Sequence, residues 1–544
     1  VPPAPFFYSQ LPVGNALLSH IISSLPTGKE SYLCIDKQNS LSQLKKLAGQ
    51  TAIYGVSTIA GRFLNYLLVL PYTYILKDTA DYGVVNEMYA YVSFVIIVLT
   101  SGMETALFHF SSREESNKDK VYSTALAWVS ILSILFFAAV WLFSADIAST
   151  FQSHAEKPIP YERYALFTAM IISLDGITAI PFARLREQNK AKRFAIIRSV
   201  NILANIFFNL FFILFCSRVY ESQSGPFVGL VNAVYSPGIG LVGYIFISNL
   251  LASGVTLLLL LPEMFKVRWS FDTLLWKQML VYSFPLMFAG LAGMVNETID
   301  RILLKYLLPA SESMKQVGIY GACYKISILM TMFVQAYRYA AEPFFFSQAK
   351  KSDARELYAQ VMKYFVIACS IIFLGTMANI SWIQFLIGKN YREGLDVVPI
   401  LLLANLCLGV FFNLSIWYKL TGKTRFGAYL TIFGALITLI LNFYWIPRIG
   451  YMGSAWATLI CYAAMMIVSY VIGQKYYTVN YDLKRILGYL SLSLILFFAG
   501  SYLIPQGNIK SVNVPGLLMG NALLLVFCAV VYMLELRGRK LRLK

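Results

Sequence analysis

The sequence predicts an all-α integral membrane protein of about fourteen transmembrane helices, arranged as two six-helix pseudo-symmetric lobes followed by two C-terminal helices. Three observations predict it. The 544-residue chain is 58% hydrophobic and only 13% charged, with a mean hydropathy of +0.63, where a soluble domain carries roughly 25% charged residues. Its apolar residues gather into runs that match the ~20 residues a helix needs to cross a hydrocarbon core about 30 Å thick. Short motifs recur at matching places in the first twelve of those runs. A soluble globular enzyme and a disordered chain are both excluded.

Before Leu41 the chain has no basic start and no apolar run long enough to span, so it does not read as a signal peptide. Residues 1–40 are expected to be a disordered tail, or sequence upstream of the true start. The first element opens at Ser40-Leu-Ser-Gln-Leu-Lys-Lys. Fourteen spans are then expected, set off by charged or Pro/Gly-rich punctuation. The first seven are 50–76, 83–110, 121–143, 160–183, 194–216, 240–264 and 278–308. The rest are 317–346, 360–387, 396–418, 426–446, 450–474, 486–504 and 515–534.

The connections alternate in charge. One set carries Arg113, Lys118 and Lys120; Arg184, Arg186, Lys190, Lys192 and Arg193; Lys266, Arg268 and Lys277; Lys350, Lys351 and Arg355; Lys419, Lys423 and Arg425; Lys475, Lys484 and Arg485; and the basic tail from Arg537 to Lys544. The other set holds one or two cations each, such as Lys77, Arg218 and Arg448. Lys and Arg accumulate on the cytoplasmic side of membrane proteins, which places both termini there. The net charge of +18, from 45 Lys and Arg against 27 Asp and Glu, is thereby accounted for by topology, with no nucleic acid as partner. The seven cysteines are scattered without a CxxC spacing, and the three histidines show no ligand spacing. No disulfide framework or metal site is indicated.

The repeat shows best before the sixth and twelfth spans. There the chain reads Pro237-Gly-Ile-Gly240-Leu-Val-Gly243 and Pro447-Arg-Ile-Gly450-Tyr-Met-Gly453, a shared Pro-x-Ile-Gly-x-x-Gly at the mouth of a helix. Arg193-Phe194 and Arg425-Phe426 open the fifth and eleventh spans, and Asn209 and Asn442 follow at nearly equal offsets. Tyr89 and Tyr324 stand equivalently after Gly83 and Gly318. Spans 1–6 and 7–12 thus read as two copies of one unit in the same orientation, and transporters built this way bind substrate between their halves. About twenty extra residues around Glu221–Ser236 lengthen the first copy. The expected domains are 41–270 and 271–478 for the two lobes, 479–535 for the last two spans and 536–544 for the basic tail.

Ionisable groups at membrane depth cost roughly 2.5–3.5 kcal/mol each on insertion scales, so they line polar paths or pair with one another. Arg62 falls in the first span, Glu104 in the second and Asp175 in the fourth. The fifth carries Arg198, Asn201, Asn205 and Asn209 at i, i+3, i+7 and i+11, one stripe of a helix. Such a stripe either faces a polar path or hydrogen-bonds a neighbouring helix. The seventh span holds Asn296-Glu297-Thr-Ile-Asp300-Arg301 and then Lys305; the eighth holds Lys325, Gln335, Arg338 and Glu342. The spacings Glu297–Arg301 and Arg338–Glu342 favour intrahelical ion pairs; the same cations, facing a gap between the lobes, would attract an anion. Pro181, Pro285, Pro343 and Pro399 invite bends.

Several chemistries find no motif. Gly422-Lys423-Thr424 has Trp417 where a phosphate loop needs glycine, and there is neither an HExxH nor an extramembrane segment large enough for a catalytic site. A membrane-embedded sugar-transferring enzyme, which would need such a segment, is the alternative from a different class. No filter-like segment suggests a channel.

The stretch Leu47-Ala-Gly-Gln-Thr-Ala-Ile-Tyr-Gly-Val-Ser-Thr-Ile-Ala-Gly-Arg62 resembles the first helix of bacterial polysaccharide and O-antigen flippases. Ile299-Asp300-Arg301-Ile-Leu-Leu and Val317-Gly-Ile-Tyr-Gly-Ala-Cys-Tyr-Lys325 are similar to the same family, which belongs to the multidrug/oligosaccharidyl-lipid/polysaccharide (MOP) exporter superfamily. The resemblance covers about residues 41–535. It implies a flippase, not an enzyme, that moves an undecaprenyl-diphosphate-linked oligosaccharide across the bacterial inner membrane by alternating access, for O-antigen, capsule or exopolysaccharide assembly.

On this resemblance Arg62, Arg198, Arg301, Lys325 and Arg338 face the substrate with the stripe Asn201, Asn205 and Asn209. Glu104, Asp175, Glu297, Asp300 and Glu342 are candidates for H+ or Na+ coupling, with no other cofactor. The partners implied are the lipid-linked glycan, membrane lipids and polysaccharide polymerase machinery. A peptidoglycan lipid II flippase is the nearest alternative. A cation-coupled multidrug exporter of the same superfamily is another, against which the thirteenth and fourteenth spans count.

Overall fold

The computed structural model describes residues 61–113 except 62 and 65, and residues 117–267, 269–349, 353–503 and 512–537. These residues are helical almost throughout, and no strand occurs among them. Among the described residues, thirteen helical stretches are long and apolar enough to cross a membrane, and they fall on the second to fourteenth expected spans. The first part of the first expected span, residues 50–60, and Arg62 lie outside the described residues.

The helices in chain order begin with α1 (Val69–Ile75), α2 (Thr79–Thr100), α3 (Met103–Arg113), α4 (Lys118–Leu142), α5 (Ser144–Gln152), α6 (Tyr161–Glu187) and α7 (Ala191–Asn209). Next come α8 (Ser217–Ser222), α9 (Val228–Val234), α10 (Gly240–Phe265), α11 (Thr273–Leu307), α12 (Ala310–Gln348) and α13 (Ala354–Ala378). The last are α14 (Ile380–Ile383), α15 (Val397–Leu414), α16 (Ile416–Leu420), α17 (Arg425–Ile449), α18 (Tyr451–Tyr476), α19 (Leu483–Leu503) and α20 (Val514–Tyr532).

The chain divides into two compact units. Met88–Ser153 and Lys157–Met294 make up most of the first; Tyr66–Glu87, His154–Glu156 and Val295–Lys544 make up the second. In the first unit α4 packs on α6, and α10 packs on both α6 and α7. Its core draws Met103 and Leu107 from α3, Tyr122 and Val129 from α4, Ile180 from α6 and Met279 from α11, all buried. In the second unit α18 packs on both α15 and α17, and α12 packs on α15. The sixth span thus packs on the fourth and fifth as the twelfth does on the tenth and eleventh, which is the repeat expressed as packing.

The repeated glycine motif has a backbone reason. Gly240 and Gly450 adopt φ of +73° and +58°, a region that costs little only for glycine. The second glycine of each motif sits where a side chain would collide: a Cβ on Gly243 would lie 2.6 Å from Ile239 Cγ2, and one on Gly453 2.8 Å from the Trp445 carbonyl carbon. Asn209 and Asn442, also paired by the repeat, both donate to the carbonyl four residues back, Asn205 at 2.8 Å and Thr438 at 2.7 Å.

Two expected boundaries are corrected. The second span is broken at Ser101 and Gly102, whose φ of +48° and +69° separate α2 from α3. The ninth, expected to reach residue 387, ends at Ala378, where Asn379 turns back to the Gly375 carbonyl and pairs with Asn521. The extra residues of the first copy include the end of α8 and all of α9.

The C-terminal pair α19 and α20 packs on α13. Buried Glu535 fixes one end of this arrangement, bound by Lys363 at 2.5 Å, Tyr489 at 2.8 Å and Arg485 at 3.2 Å. The Asn379–Asn521 amide pair fixes the other.

Candidate functional site

In the first unit α7 turns its asparagines toward α10. Asn201 donates to the Ala252 carbonyl at 3.2 Å and to Thr256 Oγ1 at 2.7 Å, and Asn205 donates to Asn249 Oδ1 at 3.3 Å. Asn209 donates to Asn205 Oδ1 at 2.6 Å, and Asn249 to the Tyr89 hydroxyl at 3.0 Å. All three stripe asparagines are buried. The stripe therefore serves interhelical hydrogen bonding here, the second of its two readings. Buried amides with mutual partners hold two helices in one register.

Asp175 accepts from Ser253 Oγ at 2.7 Å and lies within electrostatic reach of Arg198. The Arg198 guanidinium stands 5.8 Å from the Phe182 ring centre. Glu104, in the first turn of α3, is bound by Arg186 at 2.6 Å, a pairing of two residues 82 apart in sequence. Asp175 and Arg198 thus lie together on α6 and α7, while Glu104 is held by an arginine outside the expected site.

In the second unit α11 and α12 assemble the densest group. Asp300 Oδ1 takes a hydrogen bond from Arg301 Nη1 at 2.9 Å, and Asp300 Oδ2 takes one from the Tyr320 hydroxyl at 2.7 Å. Arg301 also donates to the Glu297 main-chain carbonyl at 2.7 Å. Asp300, next in sequence, is thus a carboxylate partner of Arg301 that the i, i+4 spacing did not point to, with Glu297 also within electrostatic reach. The guanidinium lies 4.5 Å from the Tyr324 ring centre and 5.7 Å from that of Tyr320, distances at which a cation is attracted by the ring face. Lys325 stands 5.0 Å from the Tyr66 ring centre. One turn beyond Arg301, Lys305 Nζ meets Glu87 Oε1 at 2.6 Å with neither side chain exposed.

A third group lies where α12 meets α15 and α16. Glu342 is bound by Lys419 at 2.9 Å and approaches Arg338 Nε only to 4.0 Å. Arg338 lies 4.6 Å from the Phe412 ring centre. These residues line a cavity with Tyr337, Asn413 and Ile416.

Four partner residues were not singled out in the sequence. Glu87 lies in an apolar run beside Asn86 and carried the same signal as Glu104, an acid at membrane depth. Asn249, Ser253 and Thr256 form on α10 a stripe with the spacing i, i+4, i+7, complementary to that on α7.

Repeated six-span packing with charged groups carried on long apolar helices defines a multi-pass membrane protein with the fold of the MOP exporters. Solved structures agree. The lipid II flippase MurJ, in an inward closed conformation, aligns with a TM-score of 0.64 at 14% identity, over 88% of this chain and 98% of that one. A multidrug resistance MATE family transporter of the MOP superfamily, inward-facing, aligns at 0.57 and 15% identity, over 78% of this chain and 94% of that one. A MATE in complex with MaD3S aligns at 0.54 and 14% identity, over 79% and 95%. No curated protein matches by sequence. Residues 47–349, more than half of the chain, match the polysaccharide biosynthesis protein family. The chain belongs to that family.

Proposed function

We propose that the protein is a flippase that carries an undecaprenyl-diphosphate-linked oligosaccharide from the cytoplasmic to the outer leaflet of a bacterial inner membrane by alternating access. The glycan would serve O-antigen, capsule or exopolysaccharide assembly, and no covalent step is involved. The observation that carries this reading is where the family match falls: residues 47–349 include Arg62, Arg198, Arg301, Lys325 and Arg338, cations placed in apolar runs where each is costly. Arg301 supports it further. Held by a carboxylate and two ring faces, a guanidinium can exchange onto a diphosphate, which offers more charge and bidentate geometry.

On this reading Asp175, Asp300 and Glu342 couple transport to H+ or Na+ by trading cationic partners, as do Glu104 and Glu297. The Lys- and Arg-rich connections face the cytoplasm, and with them both ends of the chain. Membrane lipids surround the carrier, and polysaccharide polymerase machinery takes up the product. The C-terminal pair α19 and α20 supports a lipid-linked substrate over a drug, which leaves a lipid II flippase as the second reading.

Purified protein in vesicles loaded with an undecaprenyl-diphosphate-linked oligosaccharide in the inner leaflet tests this. The glycan should become accessible to an external glycosidase, and Arg301→Gln should abolish that exposure. Exposure of lipid II alone would establish the second reading, and exposure of neither would contradict both.

A further inference from the structure

The residues that lengthen the first copy of the repeat carry α9, a helix of seven residues and so too short to cross a hydrocarbon core. Its neighbour α10 crosses without it, since 26 residues reach about 39 Å at 1.5 Å each. The chain turns between the two: Tyr235 and Ser236 are extended and Gly240 has a φ of +73°. The second copy has no counterpart, because Gly450 alone separates α17 from α18.

The surface of α9 divides into three sides. Against the protein, Val231 and Tyr235 are 0% and 8% exposed. The Tyr235 ring stacks on Tyr244 at 4.6 Å and meets Tyr220 at 5.6 Å, and the Ser236 amide donates to the Tyr244 hydroxyl at 2.7 Å. On a second side Phe227, Leu230 and Val234, spaced i, i+3 and i+7, are 51%, 56% and 46% exposed. Across the helix from this apolar stripe, the Asn232 and Gln223 amides meet at 3.5 Å.

Two further observations show what covers the stripe. Phe207, Phe211 and Phe215 form a row along the membrane-crossing stretch Ala191–Ser222, their ring centres 6.0 and 5.7 Å apart. Phe207 and Phe215 are exposed, and an exposed aromatic row on a membrane-crossing helix faces acyl chains. Phe227 continues that row, its ring centre 5.8 Å from that of Phe215. Phe215 stands three residues before Arg218, the charge that ends the apolar run, so Phe227 lies at the edge of the hydrocarbon. Charge supplies the second observation. From Ser222 to Pro262 the chain has no acidic or basic residue, whereas the other connections on this side hold Lys157, Lys315, Lys389, Arg448 or Lys510.

We propose that α9 is an interfacial anchor, bound to the lipid surface at the ends of α7 and α10 remote from Lys190 and Lys266. Phe227, Leu230 and Val234 enter the boundary between glycerol and acyl chains, and Asn232 and Gln223 face the water among the headgroups, the division an interfacial helix requires. The partner is the apolar part of a phospholipid leaflet, and headgroup charge has no cation on α9 to meet. Because Tyr220, Tyr235 and Tyr244 tie α9 to the ends of α8 and α10, the anchor fixes the depth of these spans in the bilayer. The inference needs only that α7 and α10 cross a membrane, and it holds whether or not the flippase reading does.

The test is spin labelling of the full chain in phosphatidylcholine vesicles, read by collision with oxygen, which concentrates in lipid, and with a nickel chelate, which stays in water. A nitroxide on Leu230→Cys should collide several-fold more with oxygen than with nickel, and one on Asn232→Cys should show the reverse. The unmutated chain, labelled in parallel, subtracts the native cysteines. Adding phosphatidylglycerol or salt should leave both ratios unchanged. Val234→Cys repeats the measurement if Leu230→Cys does not elute as folded protein. A Leu230 label as open to nickel as the Asn232 label would place the stripe in water. A label shielded from both reagents would assign it to a second copy of the chain, and a depth that follows phosphatidylglycerol would assign it to charge. Each of these three results would overturn the proposal.

Discussion

Gly83 and Gly318 pack main chain to main chain. A Cβ on Gly318 would lie 1.9 Å from the Thr79 carbonyl oxygen and 3.0 Å from the Gly83 nitrogen; one on Gly83 would lie 2.1 Å from the Met314 carbonyl oxygen. The two glycines hold matching places in the internal repeat, each six residues before a tyrosine, Tyr89 or Tyr324. Their neighbours match as well: Asn86, three residues on, fills the space over Gly321. Corresponding segments of the two copies thus face each other at this crossing, and small residues are what allow helix backbones to approach so closely in a membrane.

Gly318→Ala is therefore expected to be destabilising, because the contact is with backbone, which cannot swing aside. Overpacking of this kind costs ~1–3 kcal/mol. Gly254→Ala on α10, where nothing lies within 4 Å, should be neutral or stabilising by up to ~1 kcal/mol. Thermal unfolding midpoints in detergent compare them, and equal midpoints would refute the close approach.

The Lys305–Glu87 pair makes an asymmetric prediction. Removing one partner strands a buried charge and costs ~3–5 kcal/mol, whereas replacing both with apolar groups of similar volume is close to neutral. Lys305→Met and Glu87→Leu should each unfold at markedly lower temperature, and the double variant should recover most of the loss. A double variant as unstable as the sum would show that the two residues act separately.

Arg301 should matter for transport beyond its contribution to folding. Arg301→Gln leaves Asp300 short of its cation, so membrane abundance falls along with surface glycan. Adding Asp300→Asn removes that stranded charge. The double variant should regain abundance, by immunoblot of membranes, and still make no surface glycan. Restored glycan in it would remove Arg301 from the substrate path.

Asp272 supplies a pH dependence. It caps α11, accepting from the Leu274 and Leu275 amides at 2.9 and 3.0 Å, and it pairs with Lys120 at 2.7 Å. The Lys120 hydrogen bond first, and then the Leu275 amide, hold its carboxyl below the ordinary value. A depressed carboxyl stabilises the fold above its unfolded value, about 3.9, and that contribution fades as pH falls through the lower folded value. Acidification below pH ~4 should lower the wild-type unfolding midpoint more than that of Asp272→Asn. Parallel acid profiles would count against the cap.

Much of the architecture was legible because it depends on local rules. Apolar runs of membrane-crossing length located every described span. The Pro-x-Ile-Gly-x-x-Gly motif located the repeat because a positive φ and a close approach each demand glycine. Partner choice was not legible. The α7 stripe reads as one polar face, but what it faces depends on Asn249 and Thr256 of α10. Arg301 has acids both one and four residues away, and the spacing rule pointed only to the second. Glu87 and Lys305 are 218 residues apart, and no spacing rule joins them. The break at Ser101–Gly102 was hidden inside a continuous apolar run.

The most direct measurement of the central claim is made in a strain depleted of this protein: surface-glycan profiling together with assay of lipid-linked intermediates in each leaflet. The flippase account predicts loss of one surface polysaccharide, with its undecaprenyl-linked unit trapped in the inner leaflet. Normal glycans with no trapped unit, or lysis with accumulated lipid II, would contradict it.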